Sequence, residues 1–296
     1  MAFVLTTPER TGEDLMRILR EEVQGAVTEL GEANRSPDAV HAARKHLKKA
    51  RAVLRLARGP LGEARGPANE TLREAGRRLS PLRDHDAMLE ALDKAAPDLG
   101  PERAQVLWAE LERRREAARS AQDPDTLPET RMGLERLRGE MESWELPGAG
   151  FAPLEEGLEA TYGWGRAAWL GLGEDPGPEA LHGWRKRVKD HWYHIRLVVH
   201  AWPALLGARE AALDGLSDLL GDDHDLAVLR GVLLEVPDRR GDAAAVDRLL
   251  AERQEGLRRE ARALGRRVYA EKPKPFRKRM AGYWEAWRQD DSPRTA

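Results

Sequence analysis

Apolar residues recur along this 296-residue chain at intervals of three and four, the spacing of one face of an α-helix. No alternating segment rich in Val, Ile and Thr indicates a strand. The pattern predicts helices in two series. The first covers about residues 12–33, 37–58, 68–96, 102–120 and 128–145, and the second about residues 153–172, 179–202, 204–236, 243–270 and 275–288. We therefore expect an all-α fold.

Two of these helices share a sequence motif. The frame His-x-x-Arg-Lys-x-x-Lys begins at His41 and again at His182, 141 residues later. An acidic segment follows each copy, at residues 83–86 and 221–225. The sequence thus predicts an internal duplication within one domain over residues 1–296, with repeats at about 9–146 and 150–290. We expect two pseudo-symmetric helical bundles around a basic central channel or groove.

Each copy of the motif is predicted to have a cationic face and an apolar face. At about 100° per residue, an arc of roughly 100° holds His41, Arg44, Lys45, Lys48 and Arg55 in the first copy. The matching arc of the second copy holds His182, Arg185, Lys186, Lys189 and Arg196, and Tyr193 joins it. The opposite stripes consist of Val40, Ala43, Leu47, Ala50 and Leu54, and of Leu181, Trp184, Val188, Ile195 and Val199.

The charges on the cationic faces are nearly all of one sign. Residues 41–58 hold seven Lys or Arg and no acid, and residues 182–200 hold five and one acid, Asp190. Solvated helix surfaces usually mix signs, because like charges at i,i+4 destabilise a helix. Since the whole chain has 49 basic and 51 acidic residues, the positive charge is local. This favours a defined polyanion site; the alternative is an ordinary solvated surface.

Other features limit the classes of function. The chain has no cysteine, which excludes disulfides, thiol catalysis and Cys-based zinc sites. No apolar run reaches the length of a membrane span, and the N-terminus lacks a signal-peptide pattern. We expect a cytoplasmic protein. Most tryptophans follow Tyr162 and are interpreted as core residues of the second bundle.

The doubled basic motif, with an acidic segment about forty residues after each copy, resembles the CHAD domain, the conserved histidine α-helical domain. The resemblance covers about residues 9–288. It implies two pseudo-symmetric helical bundles around a positively charged surface that binds inorganic polyphosphate without catalysis, and association with polyphosphate granules. No cofactor, metal, membrane or specific nucleic acid is expected as a partner.

The motif positions give the candidate binding residues. Polyphosphate is expected to contact His41, Arg44, Lys45, Lys48, Arg51, Arg55, His182, Arg185, Lys186, Lys189, Tyr193 and Arg196. Further candidates are Arg78, Arg83, Arg115, Arg259, Arg277 and Lys278. The second copy is less basic, because Trp192 stands in the place of Arg51 and Asp190 in that of Lys49. Neutral histidines would donate a hydrogen bond, and protonation near pH 6–7 would add charge; either histidine alone is also compatible with a structural role.

The acidic segments leave two interpretations open. In the first, their carboxylates cap helices or pair with Arg77, Arg78 or Arg83. In the second, the doublets His85-Asp86 and His224-Asp225 hold a divalent metal in a phosphohydrolase. The second lacks further ligands at convincing spacings. A third possibility, an RNA- or nucleotide-binding protein, lacks aromatic residues interleaved with the basic ones.

Overall fold

All the regular secondary structure is helical in the parts of the chain that the structure describes. This computed structural model describes residues 3–32, 38–121, 123–236 and 243–291, apart from the side chains of residues 82–85, 87 and 291. The helices are α1 (Thr11–Glu32), α2 (Ala39–Leu56), α3 (Arg58–Leu61), α4 (Arg65–Arg78), α5 (Pro81–Leu99), α6 (Pro101–Ser120), α7 (Thr126–Met141), α8 (Ala152–Leu170), α9 (Pro178–Leu197), α10 (Pro203–Glu235), α11 (Ala243–Val268) and α12 (Pro273–Asp291). Short 3₁₀ segments lie at Gly62–Ala64 and Val199–Ala201. The all-α prediction is confirmed.

One predicted helix is wrong in its extent. The segment predicted as one helix over residues 68–96 forms α4 and α5, with a break at Leu79 and Ser80. Pro81 has no backbone N–H and cannot continue a helix, but it is well suited to the first turn of the next one, where it lies. The corresponding stretch of α10 has Asp218 in place of this proline, and α10 runs unbroken for 33 residues.

The hydrophobic interior is shared by both halves of the chain. The larger core includes side chains from α1, α2, α4, α7, α8, α9, α12 and the first half of α10, with Trp184, Trp284 and Tyr162 fully buried. The smaller core joins α5 and α6 to α11 and the second half of α10 through residues such as Leu92 and Leu233. Each predicted repeat therefore contributes to both cores, and neither core belongs to one repeat.

Helix pairing follows the same order in the two halves. α1 packs on α2 as α8 packs on α9, α5 on α6 as α10 on α11, and α1 on α7 as α8 on α12. The duplication remains a prediction, and this repeated order agrees with it.

The predicted apolar stripe of α2 lies in the larger core, where Ala43, Leu47, Ala50 and Leu54 are buried. α2 also crosses α8 at very short range, because a Cβ on Gly157 would overlap the carbonyl oxygen of Leu56. This crossing holds α2 against the second half of the chain. None of the described helices is long and apolar enough to span a bilayer.

Candidate anion-binding site

The two basic helices, α2 and α9, are in direct contact. The Nε2 atom of His194 donates a hydrogen bond to the carbonyl oxygen of Ala52 at 2.9 Å, with both groups buried. Arg55 Nη1 lies 3.0 Å from Asp190 Oδ1. Both interactions join a residue of the first motif copy to a residue of the second. The two copies therefore meet in space.

Asp190, the only acid within residues 41–58 and 182–200, belongs to this contact. Its side chain is 13% exposed and that of Arg55 is 16% exposed. Burial raises the pKa of Asp190, although Arg55 and Arg187 oppose the shift, and burial lowers the pKa of Arg55. The charge of Arg55 is therefore largely matched by Asp190, and the pair ties α2 to α9.

The first arginine of each motif copy is anchored to a later segment of its own half, at the end of α4 for Arg44 and in α10 for Arg185. Arg44 Nη1 donates to the carbonyl oxygen of Gly76 at 3.0 Å and to Ser80 Oγ at 2.6 Å. Arg185 Nε donates to the carbonyl oxygen of Ser217 at 3.3 Å. Ser80 and Ser217 occupy corresponding positions after the two copies, so the two arginines reach corresponding segments, Arg44 through a hydroxyl and Arg185 through a backbone carbonyl.

The lysines of the motif face outward. Lys45, Lys48 and Lys186 are exposed, and Lys189 is half-buried. Within the described residues, neither Lys45 nor Lys186 forms an ion pair. The pKa of Lys189 is lowered, first by burial and then by Arg185 and Lys45, against the opposing effect of Asp214 and Asp218.

A cation of α2 thus repels cations of α9 at one place. We call this group, Lys45, Arg185 and Lys189, the α2–α9 junction. Like charges that a fold holds close together favour a site for an anion, because a bound anion reduces the repulsion.

Comparison with known proteins agrees with this architecture. The profile of the CHAD domain family matches residues 17–234. The chain belongs to the CHAD domain family. Among solved structures, it is similar to PptA from Streptomyces chartreusis, with 18% identity, a TM-score of 0.60 and coverage of 90% of this chain and 100% of that one. It is also similar to the CHAD domain from the plant Ricinus communis, with 18% identity, a TM-score of 0.61 and coverage of 91% and 95%. No curated protein matches the chain.

The two motif histidines of this CHAD domain lie near the N-terminal ends of α2 and α9, and both are partly buried. The ring of His182 stacks on that of His224 in α10, with centroids 4.8 Å apart. Burial, followed by Lys186, His224 and Arg185, lowers the pKa of His182 to about 4. The expectation that this histidine gains charge near pH 6–7 is therefore wrong for the protein without an anion. A neutral His182 remains a hydrogen-bond donor.

The sequence predicts Tyr193 on the open cationic face of α9, and the structure buries it instead. It is 6% exposed, its ring meets that of Phe3 edge-on at a centroid distance of 5.7 Å, and burial raises its pKa to about 12. The N-terminal segment covers this part of α9, where the N–H of Leu5 donates to the carbonyl oxygen of Leu197 at 2.8 Å. The sequence signal for this covering of α9 was the apolar stretch at residues 3–5, which precedes a polar stretch and lies outside any predicted helix.

The remaining residues of the cationic faces have partners. Arg51 Nε donates to Asn69 Oδ1 at 3.2 Å, and burial, followed by the charge of Arg55, lowers the pKa of Arg51 to about 10. Arg196 lies over the ring of Trp192 and 3.8 Å from Glu210. These residues belong to the cationic surface, and each has a described partner.

Most of the further candidates are matched by nearby acids. Arg78 lies 2.8 Å from Glu129, Arg115 lies 2.6 Å from Glu112, and Arg277 contacts both Glu155 and Glu159. Arg259, which is exposed, lies 3.9 Å from Glu255. Lys278 is exposed. The side chain of Arg83 lies outside the described residues.

Carboxylates of the acidic segment in α10 pair with side chains of neighbouring helices. Asp223 is 2% exposed and accepts hydrogen bonds from Arg258 Nε at 2.7 Å and from Gln254 Nε2 at 3.3 Å. Asp222 pairs with Lys94 at 2.9 Å. In the first half, Asp86 lies 3.6 Å from Arg115. The predicted partners Arg77 and Arg78 instead bond to Glu74.

The metal interpretation has no support in the described residues. No group of three or more His, Asp or Glu side chains among them is arranged to hold a metal ion. The side chains of His85 and Asp84 lie outside the described part of the chain.

Proposed function

We propose that this protein binds inorganic polyphosphate, without altering it, at the α2–α9 junction. The observation that carries the proposal is the direct contact between the two motif helices, where His194 bonds to Ala52 and Arg55 pairs with Asp190. This contact brings basic residues of both copies together, and Lys45 of α2 is one of the charges that lower the pKa of Lys189 in α9. Membership of the CHAD domain family supports the choice of ligand. The proposed site includes His41, Lys48, His182 and Lys186 as flanking residues, and excludes Tyr193.

The chemistry of the junction suits a linear phosphate polymer. Such a ligand offers a row of charged acceptor oxygens and no base edges to be read. Lysine provides a mobile point charge and arginine a planar set of donors, and both bind phosphate oxygens well. Affinity of this kind depends strongly on salt, because each contact releases a bound counterion. The protein would associate with polyphosphate granules in the cytoplasm for the same reason.

The proposal is tested with matched lysine pairs. We expect K45A/K48A and K186A/K189A each to weaken binding of long-chain polyphosphate and to lower the slope of log K against log salt, by roughly 0.7–0.9 per lost phosphate contact. The control is K272A/K274A, which removes two exposed lysines at the α11–α12 turn. If one motif pair has no effect while the other does, the shared site is refuted.

Two further measurements separate the alternatives. Competition by RNA of equal charge is expected to be weak; equal competition would favour the nucleic-acid interpretation. The length of polyphosphate chains incubated with the protein and a divalent metal is expected to stay constant. Metal-dependent shortening would instead establish a phosphohydrolase.

A further inference from the structure

A second group of cations lies where α2 ends and beside α8. The guanidinium groups of Arg58 and Arg187 both lie over the indole ring of Trp164, each with Cζ 5.2 Å from the ring centroid. Trp164 is 37% exposed, so it is not the core residue that its sequence position suggested. An exposed aromatic ring shared by two arginines is not needed to fill either core.

The charges around this ring are unbalanced. Arg55 is repelled by Arg187 and by Arg65, and Arg51 is repelled by Arg55. We call Arg51, Arg55, Arg58, Arg65 and Arg187 the arginine cluster. The acids paired with it are Asp190, shared by Arg55 and Arg187, and Glu156, 2.9 Å from Arg58. Arg65 forms no ion pair with any described residue.

The position of both guanidinium groups over the Trp164 ring suits them to bind phosphate. A guanidinium that uses its flat face on an indole ring keeps its N–H groups at the edge, where they match two phosphate oxygens. Ordering the side chain on the ring also reduces the entropy lost when a ligand binds. A lysine at either position would supply charge without this planar set of donors.

We propose that the arginine cluster is a second phosphate-binding surface, which takes further phosphate groups of a polyphosphate chain that is already held at the α2–α9 junction. This inference rests on the proposed function. Lys45 and Arg55 lie ten residues apart on α2, or about 15 Å along the helix axis. A long chain can therefore reach from Lys45 past Arg55 to Arg58, whereas tripolyphosphate is too short to span that distance.

The experiment compares long-chain polyphosphate with tripolyphosphate on the full-length protein. In R58Q/R65Q we expect affinity for the long chain to fall about tenfold and its salt slope to fall by roughly 0.7–0.9 per lost contact. Tripolyphosphate binding stays at the wild-type value. W164L is also expected to weaken binding of the long chain. Lysine instead of glutamine at position 58 (R58K) is expected to recover only part of the lost affinity. R113Q/R131Q, which removes two exposed arginines paired with Glu110 and Glu135, is the control.

A gain of affinity provides the complementary test. Glu156 is exposed and competes with phosphate for Arg58. E156Q is expected to strengthen long-chain binding by about two- to fivefold, the range of an exposed ion pair, with no change for tripolyphosphate. Thermal unfolding of each variant shows whether its fold is intact.

The outcomes distinguish this inference from the proposed function. If R58Q/R65Q, W164L and E156Q bind long chains like the wild type while K45A/K48A still weakens binding, the second surface is refuted and the proposed function stands. Equal losses for both ligands in R58Q/R65Q would also refute a separate surface. If neither the lysine pairs nor the arginine variants change binding, the proposed function itself is wrong.

Discussion

The contact between Arg55 and Asp190 predicts opposite effects of one substitution on stability and on binding. Asp190→Asn removes the negative charge but keeps a side chain of the same shape. The remaining cations, Arg55 and Arg187, then repel each other without an acid between them. We expect the folded state to be destabilised and polyphosphate to bind more tightly, because the surface gains one positive charge.

The size of the stability effect follows from the burial of the pair. Removing one partner of a fully buried ion pair costs about 3–5 kcal/mol. Arg55 and Asp190 are 16% and 13% exposed, so some solvent reaches them, and asparagine can still accept a hydrogen bond from Arg55. We therefore expect Asp190→Asn to lower the free energy of unfolding by about 2–3 kcal/mol.

Urea unfolding of a double-mutant cycle measures this effect. Arg55→Met replaces the cation with an apolar side chain of similar length, so the variant with both substitutions should be more stable than the sum of the single effects, by about 1–2 kcal/mol. Additive effects within about 0.5 kcal/mol would show that the two groups do not interact. Weaker polyphosphate binding by Asp190→Asn would refute the view that this acid opposes the ligand.

Three further predictions concern the scaffold. Burial lowers the pKa of His194 to about 3, whereas the unfolded chain has a histidine pKa of about 6.5. The contribution of the neutral His194 to stability is therefore fully present above about pH 6.5 and is lost as the pH falls towards 3. Urea unfolding at pH 6 and 5 should therefore show a drop about 1 kcal/mol larger for the wild type than for His194→Gln, and equal drops would contradict the buried neutral histidine. Gly157→Ala should cost at least about 3 kcal/mol, because its Cβ overlaps the Leu56 carbonyl, whereas Gly133→Ala in open space on α7 should stabilise by about 0.5–1 kcal/mol. Asp223→Asn, at the buried pair with Arg258, should lower the unfolding free energy by about 2 kcal/mol without changing polyphosphate affinity. Asp222→Asn, at the exposed pair with Lys94, should change the unfolding free energy by less than about 0.5 kcal/mol. A change of polyphosphate affinity in Asp223→Asn would instead give the acidic segment a role in binding.

Periodicity was sufficient to predict the helical class and the buried side of each basic helix. Leu47 and Leu54 on α2, and Trp184 and Val188 on α9, are all in the core as the stripes predict. Such stripes depend only on local sequence and on the need to bury apolar surface. The break before Pro81 was also predictable, because a proline inside a helical pattern removes a donor and clashes with the preceding turn.

The convergence of the motif copies had a weaker signal in the sequence. Ala52, Val53, Leu54 and Leu56 are all buried, so the C-terminal half of α2 is apolar on more than one side. A helix of that kind is enclosed by neighbours on several faces. Which residue of the second copy meets it was not predictable, because the pairing of Arg55 with Asp190 depends on the crossing of two helices distant in sequence.

The structure gives the neighbouring Arg and Lys of each motif different functions. Successive residues on a helix point about 100° apart, so one side chain can face the following helix while the next faces solvent. Arg44 donates to the Gly76 carbonyl and the Ser80 hydroxyl, and Arg185 donates to the Ser217 carbonyl, tasks suited to a planar guanidinium. Lys45 and Lys186 remain outside as mobile charges. The arginine therefore fixes the helix that presents the lysine, and this order within the motif explains why both residue types occur side by side in both copies.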